Sequence, residues 1–189
     1  KDDMLQTLWN LLDEADAVIS WNGVGFDTKH AKREFVESGM LPPSPFKEID
    51  LMRTVKSQFK APSNKLDYWA QSLGVGKKKD TGGFQLWLDC MAGDEAAWRR
   101  MIRYQKQDVN LLVDLYDILK PWIPNSPNVA LYDGVEGGCV NCGSQNLQRR
   151  GSARTGTTTY DRFQCQNCGK WNRSPKRDAT TPSTMRAAT

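Results

Sequence analysis

The chain has 189 residues, of which 39% are hydrophobic, and it carries a formal net charge of +4. This length can hold one medium-sized domain and a small satellite domain. No apolar run approaches the roughly 18 residues that cross a bilayer, and the sequence begins with no signal-peptide pattern, so we expect a soluble protein that does not contact a membrane.

Basic residues are concentrated in the last third of the chain. Residues 136–189 contain nine Lys and Arg against three Asp and Glu, which gives a net charge of +6, whereas the remaining residues sum to −2. A basic appendage on a nearly neutral body favours a polyanionic partner. The alternative is a tail that serves only solubility.

Hydrophobic periodicity and turn residues predict an α/β arrangement. An amphipathic helix over 2–15 is followed by a short apolar strand over 16–21, the turn NGVG, and a helix from Asp27 to about Ser38. Strand, turn and helix in this order are typical of an α/β unit. The other predicted elements are a strand over 46–50, a helix near 51–59 for which Asp50 is a candidate cap, a helix capped by Ser63 and ending at Leu73, a mobile loop over 76–83, and a long helix that Asp94 caps and Pro121 ends.

The same reading divides the chain into four segments. We expect an α/β domain over 1–123, a linker over 124–138, a small β domain over 139–174, and a disordered basic tail over 175–189.

Asp108 carries the clearest physical signal on the long helix. It falls on an apolar stripe, where an unpaired buried carboxylate would cost several kcal/mol, and a divalent cation could compensate it. Tyr104 lies one turn earlier, so both side chains emerge from one face. The alternative is that Asp108 caps a second helix beginning at Val109. The predicted stripe comprises Trp98, Met101, Ile102, Val109, Leu112, Leu115, Tyr116 and Leu119.

Asp27 is placed at the end of the first predicted strand. Ligands bind at the carboxyl ends of strands in open α/β sheets, so Asp27 is a second candidate for the same chemistry. The alternative is a capping role. Phe26 could anchor the turn in the core, and the Asn22 amide could bridge the turn or contact a substrate.

Four of the five cysteines form two CxxC pairs, which favours metal binding over disulfides in a reducing cytoplasm. The pairs CVNCG and CQNCG each offer two thiolates from a tight turn, and Gly143 and Gly169 suit the left-handed conformation of such turns. Four thiolates close the coordination of a structural zinc ion. The fifth cysteine, Cys90, is expected in the core. The four predicted zinc ligands are Cys139, Cys142, Cys165 and Cys168.

Basic residues cluster near aromatic ones between the two cysteine pairs and just after the second pair. Residues 145–164 are predicted to form two strands about a Gly/Thr turn, and such a surface fits contacts to phosphates and bases. The alternative is a module that only docks on the α/β body or on another protein. The basic residues are Arg149, Arg150, Arg154 and Arg162, and the aromatic ones are Tyr160, Phe163 and Trp171.

Two motifs carry a resemblance to a known family. NGVGFD (22–27) resembles the N-x-x-x-F-D motif of the DEDD 3′–5′ exonucleases of the ribonuclease H-like superfamily, and YQKQD (104–108) resembles their Y-x-x-x-D motif. The segment SNKLDYWAQSLGVG resembles the helix between those motifs. The resemblance covers about residues 1–122 and is strongest to exonuclease-like proteins of phages and bacteria that carry a C-terminal zinc ribbon.

The resemblance implies a role for each matching residue. Asp27 and Asp108 would be ligands of a two-metal Mg²⁺ or Mn²⁺ site, and Tyr104 would orient the attacking water. Asn22 and Phe26 would seat the 3′ end. Lys77, Lys78 and Lys79 could steady phosphates, the alternative being a solvated loop. Asp50 is either a plain cap or a support near the metals. In the C-terminal module, Arg149, Arg150 and Arg162 would contact nucleic acid.

The family's first motif, D-x-E, is missing from these residues. We therefore expect a ribonuclease H-like fold of the DnaQ type that lacks its first strands, in a fragment that could be inactive by itself. The expected function is 3′–5′ exonuclease action on DNA or RNA, at single-stranded 3′ ends, in the cytoplasm of a bacterium or a phage-infected host. The alternatives are a non-catalytic nucleic-acid-binding adaptor and a structure-selective endonuclease.

Overall fold

A computed structural model describes residues 2–79 and 82–176 of the chain. The chain divides into two compact units, Lys1–Ile123 and Pro124–Thr189, called here the N-terminal and C-terminal units. Within the described ranges, no helix combines the length and the apolar character needed to span a membrane.

The N-terminal unit is a helical domain built around two parallel strands. Strands β1 and β2 pair from Ala17 opposite Lys47 to Ser20 opposite Asp50, and the helix between them makes the crossover that parallel pairing requires. The predicted α/β arrangement is confirmed at this level. The elements in chain order are α1 (Asp2–Glu14), β1 (Ala17–Ser20), α2 (Asp27–Glu37), β2 (Lys47–Asp50), α3 (Leu51–Gln58), α4 (Leu66–Ser72), α5 (Gln85–Met91), α6 (Glu95–Leu119) and a 3₁₀ turn over Lys120–Trp122.

The main core lies where β2, α3, α4 and α6 meet. Its apolar side chains are removed almost completely from water, and burying a side chain of the size of leucine stabilises the fold by about 1.5–3 kcal/mol. This core fixes α6 against the end of β2, where the candidate residues lie. Its buried members are Ile49, Leu51, Val55, Trp69, Ala70, Leu111, Leu115, Leu119 and Ile123.

Helix α6 is continuous for 25 residues, so the alternative of a second helix beginning at Val109 is wrong. The predicted cap is confirmed, because the Asp94 carboxylate accepts from the N–H groups of Ala96 and Ala97. The side chains that α6 buries differ in part from the predicted apolar stripe, because Trp98 and Ile102 are each 49% exposed. The buried positions are Ala97, Met101, Leu111, Leu115 and Leu119.

Two details of the middle region differ from the prediction. The helix expected from Ser63 begins at Leu66, and the Ser63 hydroxyl accepts from the N–H of Lys65 at 3.2 Å, before the helix starts. Helix α5 was not predicted. It packs on α6 and forms a small second cluster in which Leu86 and Cys90 are buried, which confirms the core position expected for Cys90.

The C-terminal unit contains a three-stranded antiparallel sheet in the order β3-β4-β5. The two strands expected about a Gly/Thr turn are present, a third strand follows the second cysteine pair, and a short helix α7 lies within the segment predicted as linker. Of the predicted tail 175–189, all but residues 175 and 176 lie outside the described ranges. The elements are α7 (Val129–Tyr132), β3 (Leu147–Arg154), β4 (Thr159–Cys165) and β5 (Trp171–Arg173).

Candidate active site and candidate metal centre

The turn after β1 folds tightly over the end of its own strand. Gly23 is buried, and a Cβ atom at this position would lie 2.5 Å from Ser20, so only glycine fits without rearrangement. Asn22 has a positive φ of 69°, a conformation that asparagine tolerates better than most residues. The turn therefore returns the chain to the mouth of the sheet before α2 begins.

Asp50 connects this turn to the neighbouring strand. Its carboxylate is buried, and one oxygen, Oδ1, accepts from the N–H groups of Asn22, Met52 and Arg53 at 2.9, 3.0 and 3.3 Å. The predicted capping role is thus confirmed, and the bond to Asn22 adds a link between the two strand ends. The second oxygen lies 3.8 Å from the Arg53 Nε atom.

Asp27 is the first residue of α2 and is exposed. Its Oδ2 atom lies 3.7 Å from the Cβ position of Gly23, which places the carboxylate above the end of β1. The alternative N-cap role is not what the structure shows, because the cap position belongs to Phe26. A carboxylate in the first turn is nevertheless favoured by the helix dipole.

Phe26 is 57% exposed, so the expectation that it anchors the turn in the core is wrong. Its ring lies edge-on to the ring of His30, with 4.5 Å between the centroids. An exposed aromatic ring beside Asp27 remains available for the predicted contact with a substrate.

Asp108 lies on the buried side of α6, and its side chain is 19% exposed. One carboxylate oxygen, Oδ2, is 2.6 Å from the Nζ atom of Lys78. The other, Oδ1, is buried and has no hydrogen-bond partner within the described part of the chain. A buried carboxylate oxygen without a hydrogen-bond partner destabilises the fold. A hydrogen-bond donor or a cation that binds to Oδ1 would remove this penalty.

Lys78 and Tyr104 complete the surroundings of Asp108. Burial opposes the charge of Lys78, but hydrogen bonds to Asp108 and Tyr104 outweigh it and raise the pKa of the ammonium group. The Nζ atom also lies 5.0 Å from the centroid of the Tyr104 ring, within cation–π range. The backbone of Lys78 is held as well, since its N–H donates to the Asp67 carboxylate at 2.7 Å.

A basic groove opens beside this cluster. It encloses about 650 Å³ and is lined by five cationic side chains together with Tyr104. The lysines come from the loop that we predicted to be mobile, and the two arginines come from α6. Sequence reasoning missed both arginines, although Arg100 lies four residues before Tyr104 on the same helix face. The cationic residues are Lys77, Lys78, Lys79, Arg100 and Arg103.

A second groove, of about 700 Å³, is also lined by Lys78. It is lined by Lys78, by Asn22 and Trp21 of the turn after β1, and by Lys56 and Lys65. Lys78 therefore borders both the turn that carries Asn22 and the helix face that carries Tyr104. Asn22 of the first motif and Tyr104 of the second thus line grooves that share Lys78, whereas neither Asp27 nor Asp108 is among the lining residues of these two grooves.

A family model described as the RNase_H superfamily matches residues 1–120. The chain belongs to the RNase H superfamily. Membership indicates a nucleic-acid-processing hydrolase, and the RNase H-like nucleases use divalent metals and act on nucleic acid. No curated protein and no solved structure shows a significant match to the chain.

The carboxylates of this RNase H superfamily protein suit the metals that its relatives use. Mg²⁺ and Mn²⁺ prefer oxygen ligands, and the unpartnered Oδ1 atom of Asp108 is such a ligand. Within the described ranges, the only group of three or more His, Cys, Asp or Glu side chains near enough to share an ion is formed by cysteines. Neither Asp27 nor Asp108 belongs to such a group within those ranges.

That cysteine group consists of Cys139, Cys142, Cys165 and Cys168, and their sulfur atoms lie within 4.8 Å of one another. Two of the sulfur pairs, Cys139–Cys168 and Cys142–Cys165, are 3.7 Å apart. A tetrahedral zinc ion with Zn–S bonds of about 2.3 Å requires sulfur separations of about 3.8 Å. The four cysteines could therefore hold zinc, since two of the sulfur separations already match this value and all lie within 4.8 Å.

The two cysteine turns have the same backbone geometry. Gly143 and Gly169 have φ of 69° and 76°, as predicted, and each donates its N–H to the carbonyl of the first cysteine of its pair. Burial raises the pKa of Cys142 to about 12, and the Cys168 and Cys165 sulfurs contribute. Burial also opposes ionisation of Cys168, but hydrogen bonds led by the Lys170 N–H lower its pKa to about 7.

The predicted nucleic-acid contacts of the C-terminal unit differ in their availability. Arg149 is paired with Asp161, with its Nε atom 2.9 Å from the carboxylate. Arg150 donates to the Gln164 side chain at 2.6 Å. Arg162 donates to the carbonyl of Arg150 and stacks on Trp171, 4.8 Å from the ring centroid. Arg149 is thus the residue whose charge is already neutralised by a carboxylate.

Proposed function

We propose that this protein is a metal-dependent 3′–5′ exonuclease that removes nucleotides from single-stranded 3′ ends. The observation that carries the proposal is the half-satisfied, largely buried carboxylate of Asp108, next to Tyr104 and a groove with five cationic side chains. Burying a carboxylate oxygen without a hydrogen-bond partner destabilises the fold, and such a carboxylate on the core side of a helix is typical of a functional site.

Asp27 and Asp108 are the proposed ligands of two Mg²⁺ or Mn²⁺ ions. When bound, such ions supply an activated water and stabilise the leaving oxygen. The reaction then adds water to the terminal phosphorus and breaks its bond to the 3′ oxygen, which leaves as a 3′ hydroxyl after taking up a proton. The products are a nucleoside 5′-monophosphate and a strand shortened by one nucleotide.

The remaining side chains have positioning roles in this proposal. Tyr104 orients the attacking water through its hydroxyl group. Asn22 and Phe26 hold the terminal nucleotide, for which an exposed ring next to Asp27 offers a stacking surface. Lys77, Lys78 and the two arginines of the basic groove neutralise phosphates, since phosphate contacts dominate nucleic-acid affinity. DNA and RNA both fit this description.

In the C-terminal unit we propose a structural zinc ion on the four cysteines. Four thiolates leave no open coordination position for catalysis, and zinc would supply stability that so small a unit cannot obtain from apolar burial alone. We assign nucleic-acid binding to this unit because of its positive charge.

The proposal is tested with full-length protein and an oligonucleotide labelled at its 5′ end. With Mg²⁺ or Mn²⁺, the wild type should give a ladder of products shortened one nucleotide at a time from the 3′ end. Asp108→Asn and Tyr104→Phe should lose at least about a hundredfold in rate, the range in which positioned acid–base and metal-ligand groups act. Asp114→Asn, which removes a charge from the same helix farther along, is the matched control.

A substrate with a blocked 3′ terminus separates the two nuclease classes. An exonuclease stops on it, whereas an endonuclease of the same superfamily still cuts internally. Undiminished cleavage by Asp108→Asn contradicts the proposed site.

The ion pair between Lys78 and Asp108 favours one competing function, a nucleic-acid-binding protein without catalysis. An ammonium group already neutralises the carboxylate, and such a protein would need no metal there. It would bind the oligonucleotide and leave it intact at every Mg²⁺ and Mn²⁺ concentration, and Mn²⁺ would not bind to Asp108.

A further inference from the structure

One face of the C-terminal sheet combines arginines and aromatic rings in an alternating pattern. Arg162 on β4 is directly opposite Arg173 on β5. Because side chains alternate along a strand, Tyr160 shares the face of Arg162, and Trp171 shares the face of Arg173. The stacking contacts agree: Arg162 lies 4.8 Å from the Trp171 ring centroid, and Arg173 lies 4.7 Å from that of Tyr160.

The two facing arginines are unfavourable for the fold itself. Like charges directly opposite each other on antiparallel strands destabilise a sheet. The carboxylate nearest in sequence, Asp161, is on the other side of β4 and pairs there with Arg149. The aromatic rings compensate part of the repulsion. An anionic ligand placed between the guanidinium groups would compensate the rest.

This face forms one wall of a groove of about 920 Å³. The opposite side is supplied by α7 and the loop after it, including Leu131, which is 76% exposed. Trp171 is itself 47% exposed, so its ring is available to a ligand. The groove is mostly apolar, with Arg162, Arg173 and Glu136 as its charged lining residues in the part of the chain that the structure describes.

We infer that this groove binds single-stranded nucleic acid, with bases stacked on Trp171 and Tyr160 and phosphates held by Arg162 and Arg173. The inference deepens the proposed function and rests on it for the choice of ligand, but it needs none of the catalytic carboxylates. Stacking on exposed rings requires unpaired bases, which a duplex does not offer. An acidic peptide would satisfy the arginines but would make no use of the two rings.

The inference also changes which residues matter in this unit. Arg173 and the two rings become contacts, whereas Arg149 does not, because it points to Asp161 on the opposite face. Base stacking gives little sequence preference. The groove would therefore bind any unpaired strand and would not select which nucleotide is removed.

The test uses full-length protein carrying Asp108→Asn, so that the probe is not degraded, and a fluorescein-labelled oligothymidylate of fifteen nucleotides. Binding is followed by fluorescence anisotropy without added Mg²⁺ or Mn²⁺. Trp171→Ala should weaken binding about tenfold, the usual loss of one stacked base. Arg173→Ala should weaken binding and reduce the slope of log Kd against log salt concentration by about 0.7, the release expected for one phosphate contact on a single strand.

Arg149→Ala is the matched control, since it removes the same side chain from the other face of the same sheet. It should leave the affinity unchanged. Zinc content and thermal unfolding of each variant show whether the unit is folded, and Arg173→Lys provides a second variant that keeps the charge but loses the flat stacking surface. Arg173→Lys should keep the salt dependence and lose part of the affinity.

Several outcomes would overturn the inference. The first is an equal loss of oligothymidylate affinity in Arg149→Ala and Arg173→Ala. The second is unchanged affinity of a folded Trp171→Ala variant. The third is that duplex DNA or polyglutamate of the same length competes as well as the unlabelled oligothymidylate. None of them depends on cleavage. The nuclease proposal fails separately, when Asp108→Asn in an otherwise wild-type chain still shortens the oligonucleotide.

Discussion

Lys78 has two roles at the residue scale, because it neutralises Asp108 and borders both grooves of the N-terminal unit. Its ammonium group lies on one oxygen of the carboxylate that is proposed to bind a metal ion. A cation that approaches Asp108 must therefore compete with Lys78 for the same negative charge. Two positive charges at one carboxylate repel each other unless other anions are near.

Removing the competing charge should strengthen metal binding. We predict that Lys78→Met raises the affinity for Mn²⁺ by about two- to fivefold, the range expected for a partly exposed ion pair. The free Mn²⁺ is measured by electron paramagnetic resonance during a titration. Lys77→Met is the control, because it removes the same charge from the neighbouring position in the groove. Equal effects of the two substitutions on the Mn²⁺ affinity would show that the overall positive potential of the groove, and not the ion pair of Lys78, lowers that affinity.

Sequence reasoning succeeded for residues whose role depends on local pattern. The position of Asp108 on a largely buried helix face, the capping roles of Asp50 and Asp94, and the grouping of the four cysteines are all visible in spacing and residue type. It failed where the partner is distant in sequence. The pairing of Asp108 with Lys78 joins α6 to a loop 30 residues away, and a single sequence contains no signal for that contact.

At the scale of elements, α6 decides how the motifs are presented. Its 25 residues pass through Gln105, Lys106 and Gln107 without a break, as expected for three good helix formers. The continuity places Tyr104 and Asp108 on successive turns of one face. A break would have made Asp108 a cap, with its carboxylate satisfied by backbone N–H groups.

The continuity of α6 can be tested at Lys106, which is exposed. Lys106→Gly should lower the free energy of unfolding by about 1 kcal/mol relative to Lys106→Ala, because glycine in a helix interior is less favourable than alanine by that amount. The measurement is urea unfolding followed by circular dichroism. At a junction between two helices, glycine would cost nothing or would stabilise, so equal stability of the two variants would contradict a continuous helix.

The displaced stripe on α6 has a cause outside the helix. Apolar residues occupy two neighbouring lines of α6, and periodicity alone does not say which line the rest of the protein covers. Helix α5 covers the line of Ala97 and Met101 and leaves Trp98 and Ile102 half exposed. Because α5 has seven residues, its sequence is too short for a clear helical period, and the prediction missed both the helix and its effect.

At the scale of the whole molecule, the two units obtain their stability from different sources. The N-terminal unit buries a core of nine side chains. The fully buried side chains of the C-terminal unit are mainly cysteines, and its helix α7 has four residues. Burial of apolar surface therefore explains the first fold and not the second. The cysteine pairs and the excess of basic residues both fall in the C-terminal unit.

Removal of the metal should unfold one unit and spare the other. We predict that a zinc chelator, or the double substitution Cys139→Ser and Cys142→Ser, abolishes protection from hydrogen exchange over β3, β4 and β5, while the core helices of the N-terminal unit keep theirs. The four sulfur atoms lie within 4.8 Å of one another, and four thiolates this close repel one another unless a cation binds them, so we expect the fold of this unit to depend on the metal. Exchange is read by mass spectrometry of peptides, and released zinc is counted with a colorimetric chelator. Cys90→Ser serves as the control, since Cys90 lies in the core of the N-terminal unit and is not a member of the cysteine group. Retained protection of the three strands after complete zinc release would show that the C-terminal unit folds without the ion.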